Sequence, residues 1–410
     1  MKFTKIALAV VATAAIAGQA QAATSFLTGA SATSLNYVKA LQSVCSGNFA
    51  VFKEATGTTS LGNFFTATCS ANFDGTDVDA VAFNVSGGSY TAVQASLGTG
   101  LTFVTDFTAT PVAGTGALAG INVAPGVARS ATVTQSEGGF MDVEPAAFDA
   151  TLLAPFGGVE ALADKVGGAN FSQAFGVAVS RDLYAALQTA QGLTGCTADT
   201  LTPACQPTVS RAQYASIASI ATNSAKTSIN SLFGVPQAKL TLCRRASTSG
   251  TQAASNQFFL NTLTGNGPNG GADLPADAAT YGAGVLATFE VKEGAGTSNA
   301  RDCLNAAGYG IGVLSLENVP AAATGYRFAK LNRVEGFDAA TASKGTALAG
   351  EYEFAFQSFK FTAAGAGTST VIEAIDSQLF TIGASTNGLW GAAESQFSRN
   401  SNNANVVTKQ

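Results

Sequence analysis

The sequence predicts an α/β fold in which helices cover mostly parallel sheets. Apolar stretches with strand-like patterning occur at residues 78–85 and 171–179, among others. Each is followed by small polar residues and then by a segment with helical spacing, as after Ser180. In such folds the turns at the carboxyl ends of the strands are where small ligands bind, so the turns are the first place to look for function.

Residues 1–22 have the layout of a secretory signal peptide. Basic Lys2 and Lys5 precede an apolar run, and residues 20–22 form a small-x-small cleavage site. No cysteine follows the run to carry a lipid anchor, and no later stretch reaches about 18 uninterrupted apolar residues. We therefore expect a protein of the periplasm, or a secreted one, with no membrane insertion after the signal is removed.

The composition indicates a neutral, hydroxyl-rich surface and two domains. Charged residues make up 11% of the chain, against about 25% in an ordinary protein. Removing Lys2 and Lys5 takes the formal charge from −5 to −7, which makes nucleic acid and anionic membranes poor partners. The residues after the signal suffice for two domains of about 100 to 200 residues each.

Cysteine and histidine usage narrow the chemistry. The six cysteines suit an oxidising compartment, and fifteen pairings are possible. No cysteine pair has the close spacing of a zinc site. The absence of histidine removes Ser-His-Asp and Cys-His hydrolases, so we expect no enzyme and no cofactor. The favoured bridges are two short loops and one that ties distant segments: Cys45–Cys69, Cys196–Cys205 and Cys243–Cys303.

The stretch 240–260 predicts a strand, a small polar turn and a helix, and the turn has the features of an anion-binding site. The first amides of a helix have no partner inside it and carry a partial positive charge. Gly250 permits close backbone approach, Ser249 and Thr251 add hydroxyl groups, and Arg245 can present two N–H groups to one anion. The alternative is an ordinary helix cap beside two solvated arginines.

At this point the sequence resembles the periplasmic phosphate-binding proteins that feed ABC transporters. The run Arg-x-x-x-Ser-Gly-Thr at 245–251 is similar to the family's phosphate-binding loop. A second match is LTGASAT at 27–33, which is similar to the family's opening loop before its first helix. The resemblance implies that Thr33 and Ser34, at the start of that helix, face the same anion. A plain helix cap is the alternative here too.

Two further segments are similar to the family with departures. Ser86 stands nearest to a family serine, although Ser89 of the same turn is the alternative. Asp142 matches an aspartate, but Met141 replaces a serine. A carboxylate can face phosphate because protonated phosphate donates an O–H to it, whereas sulfate at neutral pH has no proton to donate. Without the resemblance, Asp142 would be taken for a solvated turn residue.

The resemblance also implies the type 2 periplasmic-binding fold, with two lobes joined by two crossings. We expect residues 23–173 plus 346–410 to form lobe I and residues 174–345 to form lobe II. Residues 94–137 have no counterpart of similar length in the family and predict a strand-and-loop insertion. The ligand residues are then divided between the lobes: Thr33, Ser34, Ser86 and Asp142 on lobe I, and Arg245, Ser249, Gly250 and Thr251 on lobe II.

These observations lead to two expectations about function. The first is an exported solute-binding protein that clamps phosphate or a similar oxyanion, with an ABC-transporter permease as its partner. The second is a secreted surface or adhesion-type protein on the same scaffold, with binding lost or altered; the insertion and Met141 favour it. A hydrolase is disfavoured because histidine is absent and no metal-ligand cluster is visible.

Overall fold

The structure is a computed structural model. The predicted signal peptide, residues 1–22, lies outside the described residues. These are 23–73, 75–95, 98–148, 150–162, 164–219, 229–260, 288–321, 323, 325–332, 340–363, 369–382, 388–395, 397–398 and 408–409.

The strands alternate with helices along much of the chain, which confirms the predicted α/β fold class. They are β1 (Ala23–Gly29), β2 (Ser46–Lys53), β3 (Phe64–Phe73), β4 (Thr76–Asn84), β5 (Val112–Ala113), β6 (Asn122–Pro125), β7 (Gly138–Met141), β8 (Val166–Val179), β9 (Thr208–Ser210), β10 (Leu240–Arg245), β11 (Phe289–Gly294), β12 (Tyr309–Ser315), β13 (Arg327–Phe328), β14 (Lys330–Asn332), β15 (Ala355–Thr362), β16 (Leu389–Gly391), β17 (Phe397–Ser398) and β18 (Thr408–Lys409).

Several helices begin at a serine whose side chain caps the first turn. The Ser180 hydroxyl accepts from the Leu183 N–H at 3.3 Å, and Ser210 forms a reciprocal capping box with Gln213. The helices are α1 (Ser34–Val44), α2 (Tyr90–Ala95), α3 (Ala150–Leu153), α4 (Arg181–Ala190), α5 (Arg211–Ala218), α6 (Ile229–Phe233), α7 (Gly250–Ser255), α8 (Thr297–Ala306), α9 (Lys344–Leu348) and α10 (Thr370–Ile382). The π-helical turn Asn256–Leu260 continues α7.

The main sheet is mixed, so the expectation of mostly parallel sheets is wrong. Its strand order is β11-β10-β12-β8-β15-β7-β1-β4-β3-β2-β6-β5, and β13 and β16 also pair with β8. Strands β2, β3 and β4 follow each other as antiparallel neighbours, and β15 runs antiparallel to both β7 and β8. Short connections between consecutive strands permit this pairing, whereas parallel pairs need a crossover.

Strand β8 connects the two halves of the sheet. Its residues 166–174 pair with β15, and its residues 175–179 pair with β12. The chain returns beside β8, where the Phe175 N–H donates to the Phe354 carbonyl at 2.9 Å. The pairing of β8 therefore changes between Ala174 and Phe175.

Each half of the sheet contains a set of three adjacent parallel strands. In one half β1 lies between β4 and β7, and in the other half β10 lies between β11 and β12. Parallel neighbours end at the same edge of a sheet, so three turns meet at each of two edges. This arrangement brings together turns that are far apart in sequence.

Within the predicted insertion 94–137, the described residues 98–137 form short strands, one 3₁₀ turn and loops, in line with the strand-and-loop prediction. Strand β6 pairs with β2 in parallel, and β5 pairs with β6, which extends the sheet at that edge. Buried Leu118, Ile121 and Val123 pack into the core that also contains Leu27 and Phe83. The segment is therefore part of the sheet rather than a linker.

The three favoured disulfides are the ones that the structure contains. Cys45–Cys69 ties the end of α1 to β3, and Cys196–Cys205 closes a short loop after α4. Cys243–Cys303 joins β10 to α8, and Cys243 packs against buried Leu304 and Leu314. This last bridge fixes the strand that ends in Arg245.

Replacing the Cys243–Cys303 bridge by alanines should destabilise the protein more than replacing Cys196–Cys205. The first bridge spans 60 residues and the second spans 9. In the chain-entropy account these separations correspond to about 4 and about 2 to 3 kcal/mol. Urea unfolding of the two double-alanine variants under non-reducing conditions measures the difference, and equal losses would contradict the expectation.

Candidate functional site

The candidate site lies where the turns after the two sets of parallel strands face each other. The Tyr90 N–H, at the start of α2, donates to the carbonyl of Thr248, in the turn after β10, at 3.0 Å. The hydroxyl groups of Ser31, after β1, and Thr297, after β11, lie 3.2 Å apart. The halves of the sheet are therefore in direct polar contact at these turns.

Arg245 ends β10 and is the buried cation of the site, with 1% of its surface exposed. Its Nε donates to the Gly294 carbonyl at 3.2 Å, its Nη2 to the Ala295 carbonyl at 3.0 Å and its Nη1 to Thr297 Oγ1 at 2.9 Å. Burial lowers the guanidinium pKa to about 10, and nearby Asp142 opposes that shift. The group thus stays charged at neutral pH, and one N–H on each terminal nitrogen is left over from these bonds.

Asp142 follows β7 on the opposite side and is 2% exposed. Its Oδ2 accepts from the Thr251 hydroxyl at 3.3 Å, and its backbone N–H donates to Ser89 Oγ at 3.0 Å. Its Oδ1 is buried and has no hydrogen-bond partner among the described residues. Burial raises the carboxyl pKa to about 6, although Arg245, Thr251 and Ser89 each act to lower it.

Ser249, Gly250 and Thr251 bring the start of α7 against Asp142 and the turn after β4. A Cβ added to Gly250 would lie 2.3 Å from Ser89 Oγ and 2.7 Å from the Asp142 Cβ, so only glycine fits this approach. A Cβ on Gly88 would lie 3.0 Å from the Ser249 Cα. The Ser249 hydroxyl caps no amide of its helix, is buried, and has no partner among the residues described.

Thr33 and Ser34 stand at the start of α1, beside this contact. Buried Thr33 forms a hydrogen bond with the Tyr37 hydroxyl rather than capping the helix. Half-buried Ser34 donates to the Ser31 carbonyl at 3.0 Å. Burial raises the pKa of Tyr37, and the charges of Asp142 and Glu317 act in the same direction.

Of the two serines left open by the sequence, the structure brings Ser89 to Asp142. Ser89 is fully buried. Ser86 is half-buried, and its contacts are made by its backbone: its N–H donates to Asn84 Oδ1 at 3.1 Å, and its carbonyl accepts from the Thr91 hydroxyl. The Ser86 side chain has no described contact with Asp142 or Arg245.

The sequence reasoning missed Thr297 and Glu317. Thr297 starts α8 and accepts one of the Arg245 bonds, and the run Gly-Ala-Gly before it repeats the strand, small turn and helix pattern seen at the other turns. That pattern could have identified it. Glu317 follows β12, and its Oε2 accepts from Asn36 Nδ2 at 2.5 Å. No local pattern distinguishes Glu317 from an ordinary turn residue.

The described part of the chain contains neither a metal-ligand cluster nor a membrane-spanning helix. No group of three or more histidine, cysteine, aspartate or glutamate side chains there could hold a metal ion. None of the helices described has the length and apolar character needed to cross a membrane.

The stability of the ligand-free protein should depend on pH through Asp142. Its pKa is raised from 3.8 to about 6 in the folded state, so its favourable contribution is fully present below about pH 4 and is lost as pH rises through about 6. The wild type should therefore lose up to about 3 kcal/mol relative to Asp142→Asn between pH 4 and pH 7.5. Urea unfolding of both proteins across that range tests this, and a pH-independent difference would contradict it.

Comparisons with known proteins give distant structural similarities. No protein-family model matches the chain. No curated protein sequence matches it either. A candidate phosphate ABC transporter substrate-binding protein of Clostridium perfringens, with bound phosphate, is 12% identical at a TM-score of 0.47, over 90% of this chain and 100% of that one.

Two further solved structures are similar at the same level. A phosphate-binding protein of Stenotrophomonas maltophilia is 13% identical at a TM-score of 0.44, over 87% of this chain and 83% of that one. A possible phosphate-binding protein of Planctomyces limnophilus is 9% identical at a TM-score of 0.35, over 88% of each chain. These similarities are remote, and nothing about the chemistry of the site follows from them.

Proposed function

We propose that this chain is an exported solute-binding protein that clamps phosphate or a close oxyanion and delivers it to an ABC transporter. The observation that carries the proposal is the meeting of Arg245 and Ser249 from one half of the sheet with Asp142 from the other. Two buried atoms in that contact, Asp142 Oδ1 and Ser249 Oγ, have no partner within the described structure. Leaving a buried polar atom unpaired costs about 1 to 3 kcal/mol, so a polar ligand there is favoured.

Arg245 supplies the positive charge that an oxyanion requires. Its bonds to Gly294, Ala295 and Thr297 fix the plane of the guanidinium, and the remaining N–H on each terminal nitrogen can bind two oxygens of one tetrahedral anion. Because the protein as a whole is acidic, the anion is held by this local charge against the overall field.

Asp142 gives the site its preference among oxyanions. A phosphate O–H can donate to Oδ1, whereas sulfate has no proton to donate at neutral pH and would place its charge against an unpaired carboxylate. The raised pKa of Asp142, about 6, means that ionisation without a partner is already unfavourable. A ligand that donates a hydrogen bond to the carboxylate relieves this cost.

The division into lobes belongs to the proposal. Lobe I is residues 23–173 plus 346–410 and lobe II is residues 174–345, with β8 and the segment leading into β15 as the crossings. Hinge motion about these crossings would open the contact between the turns and admit the ligand. Residues 1–22 would direct export to the periplasm or beyond, and closure would present the loaded protein to a permease.

Asp142→Asn should reduce the preference for phosphate over sulfate. Calorimetric titration of the purified protein, stripped of ligand at neutral pH, should show phosphate binding at least about tenfold tighter than sulfate in the wild type. In Asp142→Asn the ratio should fall toward one, because the amide can donate to sulfate. Exposed Asp164, changed to Asn, is the charge-matched control.

An absence of heat with phosphate in the wild type would overturn the proposed function. That result would favour the alternative of a surface or adhesion-type protein on the same scaffold. An unchanged phosphate-to-sulfate ratio in Asp142→Asn would leave phosphate binding standing and remove Asp142 as the discriminating residue.

Arg245→Lys should weaken phosphate binding by about 10- to 100-fold, since a single ammonium group cannot replace the two parallel N–H groups of the guanidinium. The neighbouring Arg244 offers a control, because its Nη2 pairs with Glu293 at 2.7 Å instead. Arg244→Lys keeps that ion pair and should change affinity by less than about threefold. Titration of both variants, with their thermal unfolding as a check on folding, decides the point; equal losses would mean that neither arginine is specific to the ligand.

A further inference from the structure

A second polar cluster lies beside the proposed oxyanion site and is made by Glu317, Asn36 and Gln173. These residues come from the turn after β12, from α1 and from β8. Asn36 Nδ2 donates to Glu317 Oε2 at 2.5 Å. Gln173 is also close enough to Glu317 to lower its carboxyl pKa. We refer to these three residues as the acceptor cluster.

The acceptor cluster contains buried atoms whose hydrogen bonds are not made. Asn36 is 1% exposed and Gln173 is 0% exposed. Glu317 Oε1, Asn36 Oδ1 and both side-chain polar atoms of Gln173 are buried without a well-formed hydrogen bond in the described parts of the chain. Three of these four atoms are oxygens, so the cluster is rich in acceptors and poor in donors.

The acceptor cluster is close to the oxyanion contact in electrostatic terms. Burial raises the pKa of the Glu317 carboxyl, and the negative charge of Asp142 raises it further, while Lys39 and the hydrogen bond from Asn36 act against the shift. The Tyr37 hydroxyl interacts with the charges of both Asp142 and Glu317. The site therefore combines one buried guanidinium with two carboxyl groups, which is one carboxyl group more than the proposed anion contact uses.

We propose that the ligand is a tetrahedral phosphorus oxyanion that carries a short aminoalkyl arm, with its ammonium group held by Glu317, Asn36 and Gln173. This inference rests on the proposed function and specifies the class of oxyanion. An ammonium group has three N–H donors and no acceptor, which suits a buried cluster in which acceptor oxygens outnumber donors. A phosphate oxygen placed in the same cluster would meet like charge.

The two parts of such a ligand suit the two parts of the site. Of four substituents on phosphorus, two oxygens bind the Arg245 fork, one O–H donates to Asp142 Oδ1, and the fourth substituent is the arm. The arm can be joined to phosphorus directly, as in a phosphonate, or through oxygen, as in a phosphate ester. Both sources present the same ammonium group and differ only in that link.

A purely structural role for the acceptor cluster makes a different prediction. If the Asn36–Glu317 hydrogen bond only holds the two halves of the sheet together, weakening it should reduce the affinity for every oxyanion alike. If the cluster binds an ammonium group, only ligands with the amine should be affected. The ratio of two affinities separates these cases, whereas one affinity alone does not.

The experiment is calorimetric titration of the mature protein with four ligands: inorganic phosphate, ethylphosphonate, 2-aminoethylphosphonate and phosphoethanolamine. The amine should make 2-aminoethylphosphonate bind at least about tenfold tighter than ethylphosphonate, as expected for a charged hydrogen-bonded contact. Comparison with phosphoethanolamine distinguishes the phosphonate from the ester.

Glu317→Gln provides the decisive variant. The preference for the amine should fall to about threefold or less, while ethylphosphonate binds no more weakly than before because a negative group has been removed. Glu160→Gln, at an exposed glutamate, is the charge-matched control and should keep the full preference. Parallel weakening of all four ligands in Glu317→Gln would overturn the inference in favour of a structural contact.

The remaining outcomes are also decisive. Phosphate binding with equal affinities for the two phosphonates in the wild type would overturn this inference and leave the proposed function intact. An absence of binding to all four ligands would overturn both. Rescue of the amine preference by Glu317→Asp, which restores the carboxylate on a shorter side chain, would support the assignment.

Discussion

The burial of the Arg245 guanidinium is the constraint on which the site depends. A cation removed from water is stable only when its N–H groups find well-placed acceptors. Here the acceptors are backbone carbonyls and one hydroxyl from a single turn, that of Gly294 to Thr297. Parallel pairing of β10 with β11 sets the position of that turn relative to Arg245. The buried guanidinium keeps these acceptors only while β10 and β11 pair in this register. The disulfide from Cys243 in β10 to Cys303 in α8 helps to hold β10 in place.

Small residues at the facing turns make the contact between the halves possible. A Cβ on Gly296 would lie 2.4 Å from Asn63 Oδ1, and a Cβ on Gly250 would collide with Ser89. At each glycine the missing Cβ leaves room for a polar side chain from the other half to approach the backbone. The polar contacts at these turns lie beside a buried apolar cluster that contains residues of both halves, among them Tyr90, Met141 and Ala254.

The sequence predicts the features that depend on local chemistry. The ends of α1, the cap of α4 at Ser180 and the turn from Arg245 to Thr251 follow from propensity, capping and glycine placement within a few residues. Long-range pairing does not follow in the same way. The antiparallel pairing of β2, β3 and β4 depends on which strands meet, and alternation within a strand is the same whichever partner it has.

The residues of the candidate site divide in the same way, into those that local sequence indicates and those that only strand pairing brings together. Arg245 and Ser249 sit in a patterned turn and could be named from the sequence, and Asp142 was named only through the family resemblance. Glu317 joins them only because β12 lies beside β10. The choice between Ser86 and Ser89 also needed coordinates, since both occupy one glycine-containing turn and only the backbone path decides which hydroxyl points to Asp142. Residues whose role comes from a neighbouring strand are the ones that sequence patterns miss.

Two carboxyl groups beside an anion site are physically consistent when the ligand contributes hydrogen as well as charge. In the proposed function Arg245 would bind the negative oxygens, while Asp142 Oδ1 and Glu317 Oε1 would each take a donor from the ligand, because buried carboxylates without donors are costly. Size alone would not separate tetrahedral oxyanions of similar dimensions. The number and position of their N–H and O–H groups would, because each missing donor leaves a buried oxygen unpaired. Under the proposed function, the two acidic groups would therefore select among anions of equal shape by the hydrogen bonds that each anion can donate.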